Sequence, residues 1–147
     1  NPANMFVAGF MGSPSMDLFP ARIAVENGQA VAETELADGT KVTLPFPKER
    51  GFEKHDGREI VLGLRPEVIT DRDGADRTSQ SVHVIDAHVD ITEPAGSDTF
   101  VGTQLGGKAV TGRFRADVDV HAGQVFPFAI NMEKAVAFDP KTEARIS

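Results

Sequence analysis

From Arg22 onward the sequence breaks every few residues at Gly, Asp or Pro, and the pieces between are rich in Val, Ile, Phe and Thr. In "ARIAVENGQAVAETEL" apolar and polar residues alternate on both sides of Asn27-Gly28, a dipeptide that tolerates the two positive φ angles of a tight hairpin. Asp38-Gly39 turns the chain again into "TKVTLP", which predicts a three-strand meander. "REIVLGLRPEVI" is a further strand, interrupted at Pro66 because proline has no N–H to give a ladder. "SVHVIDAHVDIT" reads as one strand, and "TFVGTQL" and "KAVTGRF" as a hairpin through Gly106-Gly107. "ADVDV", "QVFPFAI" and "KAVAFDP" complete the set, with a turn at Ala122-Gly123, and the polar residues 71–80 read as an exposed loop. Short strands at this spacing predict an all-β fold, a small barrel or sandwich. A chain of 147 residues forms one domain and removes roughly 70 % of its unfolded surface from water, enough for a true core.

Charge narrows the partners. Lys plus Arg total 15 against 22 acidic residues, a formal charge of −7, and the basic residues are scattered. Nothing here tracks a phosphate backbone, so nucleic acid is not an expected partner. Small barrels that hold single strands use stacking aromatics and a basic groove, whereas the aromatics here are Phe alone, at strand positions that suit a core. The chain has no Cys, which rules out disulfides and thiolate metal sites and suits a reducing compartment. No apolar run reaches the roughly 18 residues needed to cross a bilayer, and the start lacks a signal-peptide pattern. These features predict a soluble, cytoplasmic protein.

Ahead of the strands lies "NPANMFVAGFMGSPSMDLF", apolar and without charge until Asp17. Asn1 suits an N-cap, Pro2 the first helical position and Gly12 the far end. Met5, Phe6, Gly9 and Phe10 then share one face of a short helix. A helix shorter than about 12 residues is marginal alone in water, so this one needs a surface to lie on.

Chemical motifs are sparse. Strand alternation puts Asp86, His88 and Asp90 on one face and His83 on the other with Ile85, Ala87 and Val89, which reads as a solvated polar face above an apolar one. His55 and His121 fall in polar turns. The sequence has no Gly-x-Ser-x-Gly elbow, no Gly-x-x-x-x-Gly-Lys-Ser/Thr and no Gly-x-Gly-x-x-Gly. No catalytic, cofactor-binding or metal-ligating residue is predicted within these 147 residues.

Three signatures carry a resemblance. "FVAGFMGSPSMD", Phe6 to Asp17, looks like the junction that follows the nucleotide-binding domain in ATP-binding subunits of ABC sugar importers of the maltose, glycerol-3-phosphate and multiple-sugar type. "VLGLRPEVI", residues 61–69, resembles that family's Gly-Leu/Ile-Arg-Pro-Glu segment, and "GKAVTGRF" with "HAGQVFPFAINMEKAVAFDPKTEARI" resembles its closing pattern. The likeness runs from residue 1 to 147 in family order. Three departures stand out: Asp17 where Asn is usual, Glu143 where Gly is usual, and Asp98 where Glu is common.

The resemblance implies a fold like the oligonucleotide/oligosaccharide-binding (OB) barrel, of the transport-associated (TOBE) and molybdate-binding (MOP) type, behind a short N-terminal helix. Residues 1–14 would be a linker helix from an upstream nucleotide-binding domain, and 15–147 a regulatory β-barrel. ATP and Mg would belong to that upstream domain, with no cofactor in this stretch. The implied partners are the chain's own nucleotide-binding domain, a homodimer partner, membrane permease subunits and a regulatory protein, at the inner face of the cell membrane. Met5, Phe6 and Phe10 would pack on the nucleotide-binding domain, and burying three such side chains is worth roughly 5–8 kcal/mol. Gly12, Ser13, Pro14 and Met16 would form the linker, and Gly63, Leu64, Arg65, Pro66 and Glu67 a turn near the domain interface. An alternative is a stand-alone oxyanion-binding module of the molybdate type, with Thr103, Lys108 and Thr111 converging on the anion against an unfavourable net charge. A sugar sensor in the same barrel would lack the Trp or Tyr that stacks on a pyranose.

Overall fold

The computed structural model describes residues 16–147; the predicted N-terminal helix, with Met5, Phe6, Phe10, Gly12, Ser13 and Pro14, lies outside the described residues. Twelve strands are described: β1 (Asp17–Glu26), β2 (Gln29–Glu35), β3 (Lys41–Pro45), β4 (Glu59–Leu64), β5 (Ile69–Thr70), β6 (Val82–His88), β7 (Ile91–Ala95), β8 (Asp98–Leu105), β9 (Lys108–Arg115), β10 (Val125–Asn131), β11 (Val136–Phe138) and β12 (Arg145–Ile146). They form three antiparallel sheets, ordered β12-β11-β4-β1-β2-β3, β5-β10-β6 and β7-β8-β9. The only helical turns among the described residues are 3₁₀ turns of three or four residues. The all-β expectation holds.

Local chemistry sets the frame. Asn27 (φ 52°) and Gly28 (φ 79°) both take the left-handed backbone that a tight primed turn requires, and β1 meets β2 from Glu26↔Gln29 to Arg22↔Glu33. Along β1 the alternation buries Phe19, Ala21 and Ile23 and exposes Pro20 and Arg22. These side chains join Leu44, Phe46, Phe52, Ile60, Leu62, Phe114, Phe128 and Ile130 in one core shared by all three sheets. Its rings meet tilted or edge-on, Phe46–Phe52 at 4.4 Å and Phe114–Phe128 at 5.2 Å between centroids. A smaller cluster on the other face of the six-stranded sheet holds Met16, Val136 and Phe138 with half-buried Leu18 and Val61.

Four expectations need correction. "SVHVIDAHVDIT" is two strands: Val89 N–H donates to the Gln124 carbonyl and Asp90 N–H to that of Gly102, so the chain changes sheets between them. "ADVDV" is a turn and loop, where Ala116 N–H reaches the Ser97 carbonyl and Val118 N–H that of Arg115. β1 begins at Asp17, five residues ahead of the expected Arg22, and β12 was not foreseen. Loop 71–80 is largely exposed, but its first residue, Asp71, is buried.

Candidate functional site

The described end of the first signature, Met16 and Asp17, meets residues of the other two around the start of β1. Leu18 and Val136 flank Gly63 on its two neighbouring strands, and a Cβ on Gly63 would lie 2.6 Å from Met16 Sδ. Gly63 is therefore the gap that lets Met16 lie down on the sheet. Met16 belongs to the first signature, Gly63 to the second and Val136 to the third. A second gap adjoins it: Gly112, in "GKAVTGRF", lies so close to β5 that an added Cβ would sit 2.6 Å from the Ile69 carbonyl oxygen. Ile69 closes the second signature.

The Arg-Pro-Glu turn wraps the same corner. Leu64 is the register partner of Asp17. Past it, Pro66 opens a one-turn 3₁₀ helix, Pro66–Val68, which leans on β9, and Val68 N–H donates to the Arg65 carbonyl. Pro66 is buried, while Arg65 and Glu67 are exposed on either side of it. Of the predicted interface residues, Met16, Arg65, Pro66 and Glu67 thus lie within one corner, two inward and two outward.

Asp17 sits at the centre of this corner and is 4 % exposed. Its Oδ1 accepts the Thr111 N–H of β9 at 3.0 Å, joining the six-stranded sheet to the β7-β8-β9 sheet. Its Oδ2 is buried with no hydrogen-bond partner. Burial pushes the carboxyl up to about 7, against the opposing pull of the Thr111 N–H. Sequence reading noted Asp17 only as a departure from Asn.

Asp71 was also missed. Its Oδ1 accepts Arg115 N–H at 3.1 Å, and its Oδ2 accepts Arg115 Nε at 3.0 Å and Nη2 at 2.9 Å. This fork ties the start of loop 71–80 to the end of β9. The signal available in the sequence was a lone Asp after a strand, indistinguishable from a turn residue.

The polar residues of the oxyanion alternative do not converge. Thr103 pairs with Val110 and is buried towards the core, whereas Thr111 pairs with Gly102 on the opposite face, and its N–H is held by Asp17. Lys108 is exposed at the start of β9. Each of three histidines has its own local partner: His88 Nδ1 lies 2.8 Å from Asp90 Oδ1, His121 Nε2 lies 2.6 Å from Asp119 Oδ1, and His55 Nε2 lies 3.1 Å from the Ser147 carbonyl. Among the described residues no three His, Asp or Glu side chains gather as metal ligands, and no helix is long and apolar enough to cross a membrane. Asp98 starts β8, 3.8 Å from Arg113 Nε.

Residues 12–69 match the family model of the MalK OB fold domain. The chain is 37 % identical over 147 residues to the uncharacterized ABC transporter ATP-binding protein y4oS of Sinorhizobium fredii, covering 99 % of this chain and 35 % of the relative. It is 30 % identical over 149 residues to the ABC transporter ATP-binding protein YurJ of Bacillus subtilis (99 % of this chain, 39 % of the relative). Identity is also 30 %, over 148 residues, to the oligosaccharides import ATP-binding protein MsmX of Bacillus subtilis (99 % and 38 %). The chain spans well under half the length of these relatives. In fold it resembles the molybdate-bound cytoplasmic protein ModG, with a TM-score of 0.54 and 18 % identity over 84 % of this chain and 96 % of that one. The fold is OB-like, as the resemblance implied.

Proposed function

We infer, from a chain that carries the MalK OB fold domain and aligns nearly end to end with part of ABC transporter ATP-binding proteins, that it is the regulatory domain of an ABC importer's ATPase subunit. The observation that carries this reading is that Met16 and Asp17, which end the first signature, meet residues of the other two on one corner. Residues far apart in sequence build the seat on which Met16 rests at the start of the β-fold. A junction motif makes sense if something precedes it.

In this reading the upstream domain binds ATP and Mg and drives uptake of a sugar through membrane permease subunits at the inner face of the cell membrane. The oligosaccharide importer among the relatives supports a sugar as cargo. The β-domain holds a second copy of the subunit, so that two ATP sites open and close about a fixed pairing, and it offers a surface to a regulatory protein. Arg65 and Glu67 are exposed on a turn held by buried Pro66, and in this reading they would meet a neighbouring domain.

Reading the gene upstream of Asn1 tests the proposal. A Walker-type ATPase fused there is expected, and a start codon immediately before Asn1 would overturn it. Sedimentation of the full-length protein over a range of concentrations is expected to show a dimer. Titration calorimetry with molybdate, tungstate and sulfate is expected to show no binding to this chain, and a clear heat would favour the oxyanion module instead.

A further inference from the structure

We propose that Asp17 is a proton-operated clasp: with its carboxyl protonated the start of β1 stays seated against β9, and with the carboxyl ionised that strand end opens to water. The geometry that points to it is an imbalance at one side chain. Oδ1 has the Thr111 N–H at 3.0 Å, but Oδ2 is shut away from solvent with nothing to accept from. A carboxylic acid fits this site, because the O–H removes the charge that burial penalises. A carboxylate does not, since one hydrogen bond cannot replace the water it has lost.

Burial outweighs the single N–H that faces the carboxyl. The elements packed about Asp17 are the rest of β1, β4 with the turn at 66–68, and β9. Their charged residues are Arg22 and Glu26, then Glu59, Arg65 and Glu67, then Lys108, Arg113 and Arg115, all exposed. Burial raises the Asp17 carboxyl and the Thr111 N–H opposes it. Ionisation passes that proton to water, and the remaining carboxylate gains its hydration only if the strand end lifts.

Opening here is local. Asp17 is the first residue of β1, so the ladder contacts given up are those at its terminus, while Phe19, Ala21 and Ile23 stay in the core. Met16, buried beside it over Gly63, lifts with it. The clasp therefore sets how firmly Met16 and the start of β1 are fixed to the rest of the β-fold. Its use as a pH-sensitive hinge to an ATPase domain rests on the proposed function; the clasp itself does not.

Amide hydrogen exchange and carboxyl NMR on the 147-residue chain test it directly. The Asp17 side-chain carbon is expected to titrate near pH 7, and the Thr111 amide shift to follow the same midpoint. Protection of the Thr111 amide, corrected for intrinsic exchange, is expected to fall about tenfold per pH unit between pH ~4 and 7 and then level off. Ile130, in the middle of β10, is expected to show no such step. Asp17→Asn keeps an oxygen for Thr111 without the charge, and it is expected to abolish the pH dependence. A carboxyl midpoint below about 5 in the wild-type chain would overturn the proposal. So would protection that ignores pH, or an Asn variant that still shows the step. The wild-type titration decides the matter even where the variant folds poorly, and it gives the same answer whether or not an ATPase lies upstream.

Discussion

Glu143 adopts φ 64°, a left-handed backbone that a side chain with a Cβ resists. What holds it there is Asp139, whose carbonyl accepts the Glu143 N–H and whose N–H donates to the Ala144 carbonyl, both at 2.8 Å. Asp139 Oδ1 also accepts the N–H groups of Lys141 and Thr142. The tight turn forms with Glu where a glycine is usual, and the strain remains. Glu143→Gly is therefore expected to stabilise the fold by about 1 kcal/mol, read as a rise of about 2–4 °C in Tm, whereas Glu143→Val is expected to lower it. No rise in the Gly variant would mean that the turn relaxes some other way. The sequence showed which residue was out of place here, but not that four hydrogen bonds from Asp139 would keep the turn in spite of it. Asp17 was opaque for a related reason. Burial and an orphaned oxygen depend on Leu64 and Thr111, 47 and 94 positions away.

Between elements, the fold depends on two close approaches of backbone. At Gly112, β9 comes against the Ile69 carbonyl, and at Gly106 the β8–β9 hairpin tip lies on Pro20, where a Cβ would sit 2.6 Å from the carbonyl oxygen. The Gly106 N–H donates to the Glu35 carbonyl at 2.9 Å, so the tip cannot simply swing away. The obstruction in both cases is a carbonyl rather than a flexible side chain. Gly112→Ala is expected to cost about 1–3 kcal/mol, measured as a lower urea midpoint at unchanged slope, and Gly106→Ala more, because φ 59° adds backbone strain. A neutral Gly112→Ala would show that β9 can slide off β5 freely. Most strands were legible from period-two alternation and turn dipeptides, since both are local. The change of sheet at Val89-Asp90 was not. Burial alternates without a break through Ile85, Ala87 and Val89, and only then do the backbone partners switch, leaving Ile91 62 % exposed. "ADVDV" alternates equally well, but its backbone bonds go to a turn, and β12 is two residues long, too short for any period to show.

For the molecule as a whole, two carboxyls bend the stability curve in opposite directions. Asp139 is held down at about 2, first by the Thr142 N–H and then by Arg58 at 2.9 Å and the Lys141 N–H. Its folded value lies below the unfolded one, so its contribution is present at neutral pH and is lost as pH falls through about 2. Asp17 does the reverse. Its folded carboxyl keeps a proton up to about 7, while the unfolded chain releases it near 3.8, so folding becomes less favourable as pH rises between those values and is level above. By themselves the two balance near pH 4, below neutrality. Asp17→Asn removes only the second effect. It is expected to match the wild-type chain near pH 4 and to exceed it increasingly up to pH 7, by at most about 4 kcal/mol, since opening of the β1 start caps what the charge can cost. Urea midpoints for both chains at pH 4, 6 and 8 measure this. The formal charge of −7 grows no faster in one chain than in the other once Asp17 is ionised, so self-repulsion drops out of the comparison above pH 7. An equal gap at pH 4 and pH 8 would mean that the Asn variant packs better for reasons unrelated to the proton.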